Sequence, residues 1–222
     1  MPSSLEIGSP RDEAELVVLL MHGLGADAND FADVAQALCQ AAQPRRWRFV
    51  LPNAPSQPVT INGGMSMPAW YDILDLSHPR SVDWGTVEAS AESIVQLLDH
   101  ECAPKVVLAG FSQGAAMALH VGLRQASAID GILMMSGYLL ESEEHPCPAR
   151  SAALPLAIFH GTDDLMVPLS AAERTMEALT EAGHEPSFKT YSGMGHAVCD
   201  EEIQDMFDWL SSLSASPKNP KR

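Results

Sequence analysis

The sequence predicts an α/β fold, with a mostly parallel central sheet and helices on both faces. Three observations carry that reading: six short apolar runs, five amphipathic stretches, and the alternation of the two along the chain. The runs are LVVLLM (16–21), RFVLP (48–52), KVVLAGF (105–111), ILMMSG (132–137), PLAIFHG (155–161) and SFKTYSG (187–193). They are short, aliphatic or β-branched, and bounded by Gly or Pro, as strands buried on both faces should be. Residues 29–42, 84–101, 112–126, 170–183 and 199–213 carry apolar side chains at helical spacing. Asn29 or Asp30 is expected to cap the first helix and Gly183 to stop the fourth. Residues 1–14 and 214–222 read as loose ends. That leaves an ordered body of about 15–213 within one expected domain, 1–222. In such sheets the binding crevice lies beyond the carboxyl ends of the strands.

Composition narrows the function classes. The 222 residues carry a formal net charge of −16. A nucleic-acid binder needs a basic stripe, because phosphate affinity comes from Lys and Arg. The only basic cluster is Arg45, Arg46 and Arg48, flanking a turn, so no nucleic-acid partner is expected. No apolar stretch approaches the ~20 residues that span a bilayer, so no stable membrane insertion is expected. Cys39, Cys102, Cys147 and Cys199 form no CxxC pair and no zinc-type spacing. With no basic start followed by an apolar run at the N-terminus, a cytoplasmic protein with reduced thiols is the expectation.

Gly110-Phe111-Ser112-Gln113-Gly114 fits G-x-S-x-G, between the run KVVLA and the helical stretch AAMALHVGL. In that context the serine occupies a tight strand-to-helix turn that exposes its hydroxyl. Side chains at the two glycine positions would collide with the neighbouring strand and helix. A serine hydroxyl needs a base, and the base an orienting carboxylate; in this arrangement they follow in the order Ser, Asp, His. Asp163 and Asp164 both qualify by position, just after the fifth run. His196 follows a glycine-rich turn before the last helix and is the expected base. His160 precedes the carboxylate and breaks the chain order. His120, two turns into a helix, reads as structural. The negative charge of a tetrahedral intermediate needs two backbone N–H donors. Gln113 supplies one, and Leu24, in His22-Gly23-Leu24-Gly25 after the first run, supplies the other. His22 is expected to hold that loop.

Four segments together resemble the small α/β-hydrolases of the carboxylesterase and acyl-protein thioesterase (phospholipase/carboxylesterase) family. They are LMHGLGADANDF (20–31), LPNAPSQPVTINGGMSMPAWYDI (51–73), GFSQGAAMAL (110–119), and HGTDDLMVP with GMGH (160–168 and 193–196). The resemblance spans about residues 16 to 212. It implies an α/β-hydrolase fold without a separate cap domain, no metal or other cofactor, and a possible homodimer. It places the nucleophile on Ser112, the carboxylate on Asp164, the base on His196 and the oxyanion donors on Leu24 and Gln113. Two departures are Ala115, where the family often has Gly, and Leu165, where some members have Pro. The Ala115 methyl is expected to narrow the pocket.

Residues 53–76 make a connection too long and too apolar for a free linker. They are expected to fold over the crevice and line an acyl groove through Met65, Met67, Trp70, Leu74 and Leu76, joined by Met166 and Val167. For Trp70 the competing reading is core packing. The partner is thus a small ester or acyl-thioester. A carboxylesterase for short- to medium-chain esters is preferred at this point, because the acidic chain shows no sign of membrane approach. A thioesterase acting on fatty acyl groups is the alternative. A metal hydrolase using His160, Asp163, Asp164 and His196 leaves G-x-S-x-G without a role, and an inactive binding module would not need all three residues.

Overall fold

In the computed structural model, residues 2–77, 79–151 and 153–215 are described. One seven-stranded sheet organises them: β1 (Ser4–Gly8), β2 (Leu16–Met21), β3 (Trp47–Pro52), β6 (Lys105–Phe111), β7 (Gly131–Met135), β8 (Leu156–Gly161) and β9 (Ser187–Tyr191). A separate antiparallel pair, β4 (Ser56–Val59) and β5 (Met65–Pro68), precedes β6 in the chain. The sheet order is β1-β3-β2-β6-β7-β8-β9, and every pairing but β1 with β3 is parallel.

The helices are α1 (Ala32–Ala42), α2 (Trp84–His100), α3 (Gln113–Arg124), α4 (Leu169–Glu181) and α5 (Asp200–Ala215). Side chains of a strand alternate between faces, and the apolar runs feed two cores. Val17, Leu19 and Met21 pack with side chains of α2, α3 and α4. Leu16, Val18 and Leu20 pack on the other face with α1 and α5. Every residue of β2 is buried, which is why that run is continuously apolar rather than alternating. The chain leaves β2 for β3 on one side and returns to β6 on the other. The carboxyl ends of β2 and β6 therefore flank the switch point where an α/β sheet opens its crevice.

Three expectations are corrected. The segment 1–14 is not wholly loose, since β1 adds an antiparallel edge strand. Its alternate residues Leu5 and Ile7 pack against the core while their neighbours face outward. At the other end α5 continues to Ala215, and residues 216–222 of the expected loose end lie outside the described ones. The first helix starts at Ala32 and has neither Asn29 nor Asp30 as its cap. Asp27 takes over this stretch instead, its Oδ1 accepting from the Asn29 backbone N–H at 2.7 Å and holding a turn ahead of the helix. Gly183 is at φ +87°, two residues past the end of α4 and directly after its C-cap Ala182, as a helix stop requires. The Arg cluster serves the fold: Arg48 pairs with Glu6 at 2.8 Å and Glu101 at 3.4 Å, and Arg46 with Glu15 at 3.0 Å. Among the described residues no helix is long and apolar enough to cross a membrane.

Glu202, in the first turn of α5, is fully buried, and neither carboxyl oxygen reaches hydrogen-bond geometry with a described residue. Burial pushes its pKa up to about 8, against a smaller opposing pull from the Cys199 backbone N–H. The native state therefore holds a proton that the unfolded chain has released above its ordinary value of 4.5. Stability falls as pH rises between those two values, with a limiting slope of about 1.4 kcal/mol per pH unit. Glu202→Gln keeps the shape and removes this charge. Urea unfolding followed from pH 5 to pH 9 should show the variant gaining stability over the parent as pH rises, and parallel curves would contradict the assignment.

Candidate active site

Ser112 sits between β6 and α3 at φ 54°, ψ −117°, a backbone conformation that non-glycine residues rarely adopt. The turn is pinned on both sides. The Ser112 N–H donates to the Met135 carbonyl at 2.9 Å, and the Ser112 carbonyl accepts from Ala116 N–H at 3.1 Å. The flanking glycines are obligatory on steric grounds. A Cβ at Gly110 would lie 2.2 Å from the Gly114 carbonyl oxygen, and one at Gly114 would lie 2.3 Å from that of Met21.

His196 Nε2 lies 2.9 Å from Ser112 Oγ, and its Nδ1 lies 2.6 Å from Asp164 Oδ2. The loop carrying His196 reaches that position by lying on the end of β8. A Cβ on Gly161 would stand 2.2 Å from the Met194 carbonyl oxygen, and Asp163 N–H donates to the same carbonyl at 3.0 Å. The Phe111 ring packs against the imidazole with centroids 4.7 Å apart. Asp164 is buried, and its Oδ1 accepts from the backbone N–H groups of Met166 and Val167 at 2.9 and 2.8 Å. Burial alone would raise its pKa. The hydrogen bonds from His196 and from those two amides outweigh burial and hold it below the ordinary aspartate value. Asp163 is exposed, and among the described residues its carboxylate accepts only from Thr162 Oγ1, at 2.8 Å. Of the two aspartates left open by position, Asp164 is the one that meets the imidazole.

His22, His160 and His120 make other hydrogen bonds, although His160 Nε2 also stands 3.7 Å from Asp164 Oδ2. His22 Nδ1 meets the Gly23 carbonyl at 2.7 Å, and its Nε2 accepts from Ala54 N–H at 3.1 Å, so this ring ties the loop after β2 to the segment after β3. Burial lowers its pKa and favours the neutral ring that this pair of bonds requires. His160 is buried and donates from Nε2 to the Val167 carbonyl at 2.8 Å. His120 is buried between Glu88 and Arg124 in helix packing. Among the described residues no group of three or more His, Cys, Asp or Glu could hold a metal ion.

Ser112, Gln113, His196 and Leu24 line a cavity of about 500 Å³, within the range of small-molecule sites. Neither the Leu24 nor the Gln113 amide is tied to a backbone carbonyl among the described residues. The Gln113 side chain is fully used: its Oε1 accepts from Trp70 N–H at 2.8 Å and its Nε2 donates to the Tyr71 carbonyl at 2.7 Å. These bonds anchor the 53–76 segment to the start of α3.

That segment differs from its expected role. It folds into the β4–β5 hairpin with a single 3₁₀ turn, Thr60–Asn62. Leu76, Met166 and Val167 line the cavity, whereas Met65, Met67, Trp70 and Leu74 do not. Trp70 is buried in the core, its indole N–H donating to the His22 carbonyl at 2.9 Å. Met67 accepts from Asn62 Nδ2 at 3.1 Å, and Met65 and Leu74 face outward. The Ala115 methyl does not narrow the pocket; it packs against Gly137, where an added Cβ would be 2.6 Å away. The remaining wall includes Ile61, Ile73, Arg80, Phe111, Tyr138 and Leu165. Sequence reasoning passed over these side chains. Phe111 and Tyr138 carried a usable signal, since they stand at or just after the carboxyl ends of β6 and β7, where such folds place their ligands.

The sheet order and the strand–Ser112–helix turn define an α/β-hydrolase fold. Residues 2–214 match the phospholipase/carboxylesterase family model, and the chain belongs to that family, a family of hydrolases of carboxylic esters and thioesters. It is 34% identical over 208 residues to acyl-protein thioesterase 1 of Neurospora crassa, covering 87% of this chain and 85% of that one. It is 33% identical to acyl-protein thioesterase 1 of Gibberella zeae, covering 91% and 92% of the two chains. The crystal structure of Zea mays acyl-protein thioesterase 2 superposes with a TM-score of 0.83 at 26% identity, covering 97% of this chain and all of the other.

The close backbone approach at Gly114 gives a structural prediction. Gly114→Ala should lose about 3 kcal/mol or more, because the obstacle is a strand carbonyl and not a movable side chain. Urea denaturation measures it, and a change below about 1 kcal/mol would mean that α3 can slide off the end of β2.

Proposed function

We propose that this protein hydrolyses fatty acyl thioesters through an acyl-enzyme on Ser112, with carboxylic ester hydrolysis as a second activity of the same site. The observation that carries the proposal is the continuous hydrogen-bond chain from Ser112 Oγ through His196 to Asp164 at the wall of an apolar cavity. The preference for thioesters, over the esters favoured by sequence alone, rests on the names of the Neurospora and Gibberella relatives.

In this reading His196 takes the Ser112 proton as the oxygen attacks the acyl carbon. Asp164 holds the ring with its Nδ1–H directed at the carboxylate and stabilises the imidazolium that forms. The depressed pKa of Asp164 suits that role, because the carboxylate stays charged while the ring gains its proton. The oxyanion is received by the backbone N–H groups of Gln113 and Leu24, each worth roughly 3 kcal/mol in the transition state. The thiolate or alkoxide leaves with the proton returned by His196. Water then repeats the sequence on the acyl-enzyme and restores Ser112. Leu76, Leu165 and Met166 form an exposed apolar rim suited to an acyl chain.

Ser112→Ala should lower kcat by about 10⁴-fold or more without lowering the melting temperature. Asp164→Asn should cost about 10²- to 10⁴-fold and Asp163→Asn little, given which carboxylate meets the imidazole. A fluorophosphonate probe should label Ser112, and a label mapped to another residue would overturn the mechanism. Comparing kcat/KM for an octanoyl thioester with that for the matching ester decides between the two substrate readings.

A further inference from the structure

Arg80 brings a positive charge into the wall of the cavity that holds Ser112. It lies in the irregular stretch before α2, and its Nη2 donates to the Met166 carbonyl at 2.9 Å. Its guanidinium carbon stands 5.5 Å from the centroid of the Tyr138 ring, a second wall residue. Nε and Nη1 are buried and have no hydrogen-bond partner among the described residues. Nearby Asp75 feels the Arg80 charge, but its carboxylate is exposed and engaged by Ser77. Asp30, the only carboxylate among the described residues of the cavity lining, is itself exposed.

A guanidinium with buried, unmatched N–H groups is costly to keep in a low-dielectric wall. The fold gains one carbonyl hydrogen bond and one ring contact from it. An uncharged side chain could cover the same apolar surface. What an arginine adds in that place is a field that favours an anion in the cavity, and a carboxylate is one of the anions whose geometry it matches.

We propose that Arg80 is a specificity-determining residue that selects esters and thioesters carrying a carboxylate within reach of the cavity wall. The inference rests on the hydrolase reading above and adds a substrate class to it. The carboxylate has two possible sources, the far end of the acyl chain or the leaving thiol. Both present the same chemistry to Arg80.

Three thioesters separate these cases: S-octanoyl-N-acetylcysteamine, which is neutral; S-octanoyl-3-mercaptopropionate, with the carboxylate on the leaving group; and the S-suberoyl thioester of N-acetylcysteamine, with the carboxylate on the acyl end. Free thiol release gives kcat/KM for each. The expected result is that one carboxylate-bearing thioester is preferred over the neutral one by about tenfold, that the preference weakens as salt is raised, and that Arg80→Met lowers the anionic-to-neutral ratio by about tenfold. Arg80→Lys should keep part of that ratio, because it retains the charge and loses the planar fork. The ratio is the readout because loss of the Met166 contact alone would slow all three substrates equally. An unchanged ratio in Arg80→Met, or a wild-type preference for the neutral thioester over both others, overturns the proposal. Failure of the wild-type protein to cleave the neutral thioester would instead count against the thioesterase reading.

Discussion

The first turn of α3 lies against the end of β2 with no room for a single carbon atom between them. The Gly114 Cα occupies a position from which a Cβ would reach within 2.3 Å of the Met21 carbonyl oxygen and 2.5 Å of that of His22. This backbone contact fixes the distance between two loops that no local interaction relates. One carries Ser112 and the Gln113 amide, and the other carries Leu24. Once they are fixed, both loops open onto the same cavity. The conformation of Ser112 costs of order 1–3 kcal/mol by itself. It persists because β7 takes the serine N–H and α3 takes its carbonyl, with the first turn of the helix packed directly against the end of β2.

The same economy of backbone contacts explains the placement of the base. His196 belongs to a loop with few apolar anchors, yet its ring is held from three directions. Asp164 accepts its Nδ1–H, Phe111 packs against its face, and the loop backbone lies on Gly161 at the end of β8. Asp164 is in turn held by two amides of its own turn, so its position does not depend on the imidazole. The order of dependence runs from sheet to turn to carboxylate to ring. The residue that moves protons is the last to be positioned, and its side chain is less buried than the carboxylate that holds it.

What could be read from the sequence was what the backbone dictates. Buried parallel strands are continuously apolar, so β2, β3, β6, β7 and β8 were visible as runs. The turn at Ser112 was visible because only glycine fits at Gly110 and Gly114. β1 was not, because an edge strand exposes half its residues and its alternation is only five residues long. The cavity wall was legible only in part. Trp70 and Leu76 come from one apolar segment, and composition cannot say which turns inward. The Gln113 side chain decides it by binding the backbone on both sides of the Trp70–Tyr71 peptide, which drives the indole into the core and leaves Leu76 at the rim. Likewise the choice between Asp163 and Asp164 came from resemblance alone. The physical reason lies in the turn, which buries one carboxylate over two amides and leaves its neighbour in solvent.

Net charge and local charge act on different length scales in this molecule. A chain at −16 would repel an anionic substrate at low ionic strength. At physiological salt, however, exposed charges are screened beyond about 8 Å, and most of the carboxylates are on the surface. A guanidinium in the cavity wall acts on a bound group at closer range than distant surface carboxylates do. Arg80 therefore does not conflict with an acidic surface. The exposed surface carries the net negative charge, and the guanidinium places a positive charge in the cavity wall. The segment bearing Arg80 is joined to the Asp164 turn through the Met166 carbonyl, which accepts from Arg80 Nη2 while the Met166 N–H donates to Asp164 Oδ1.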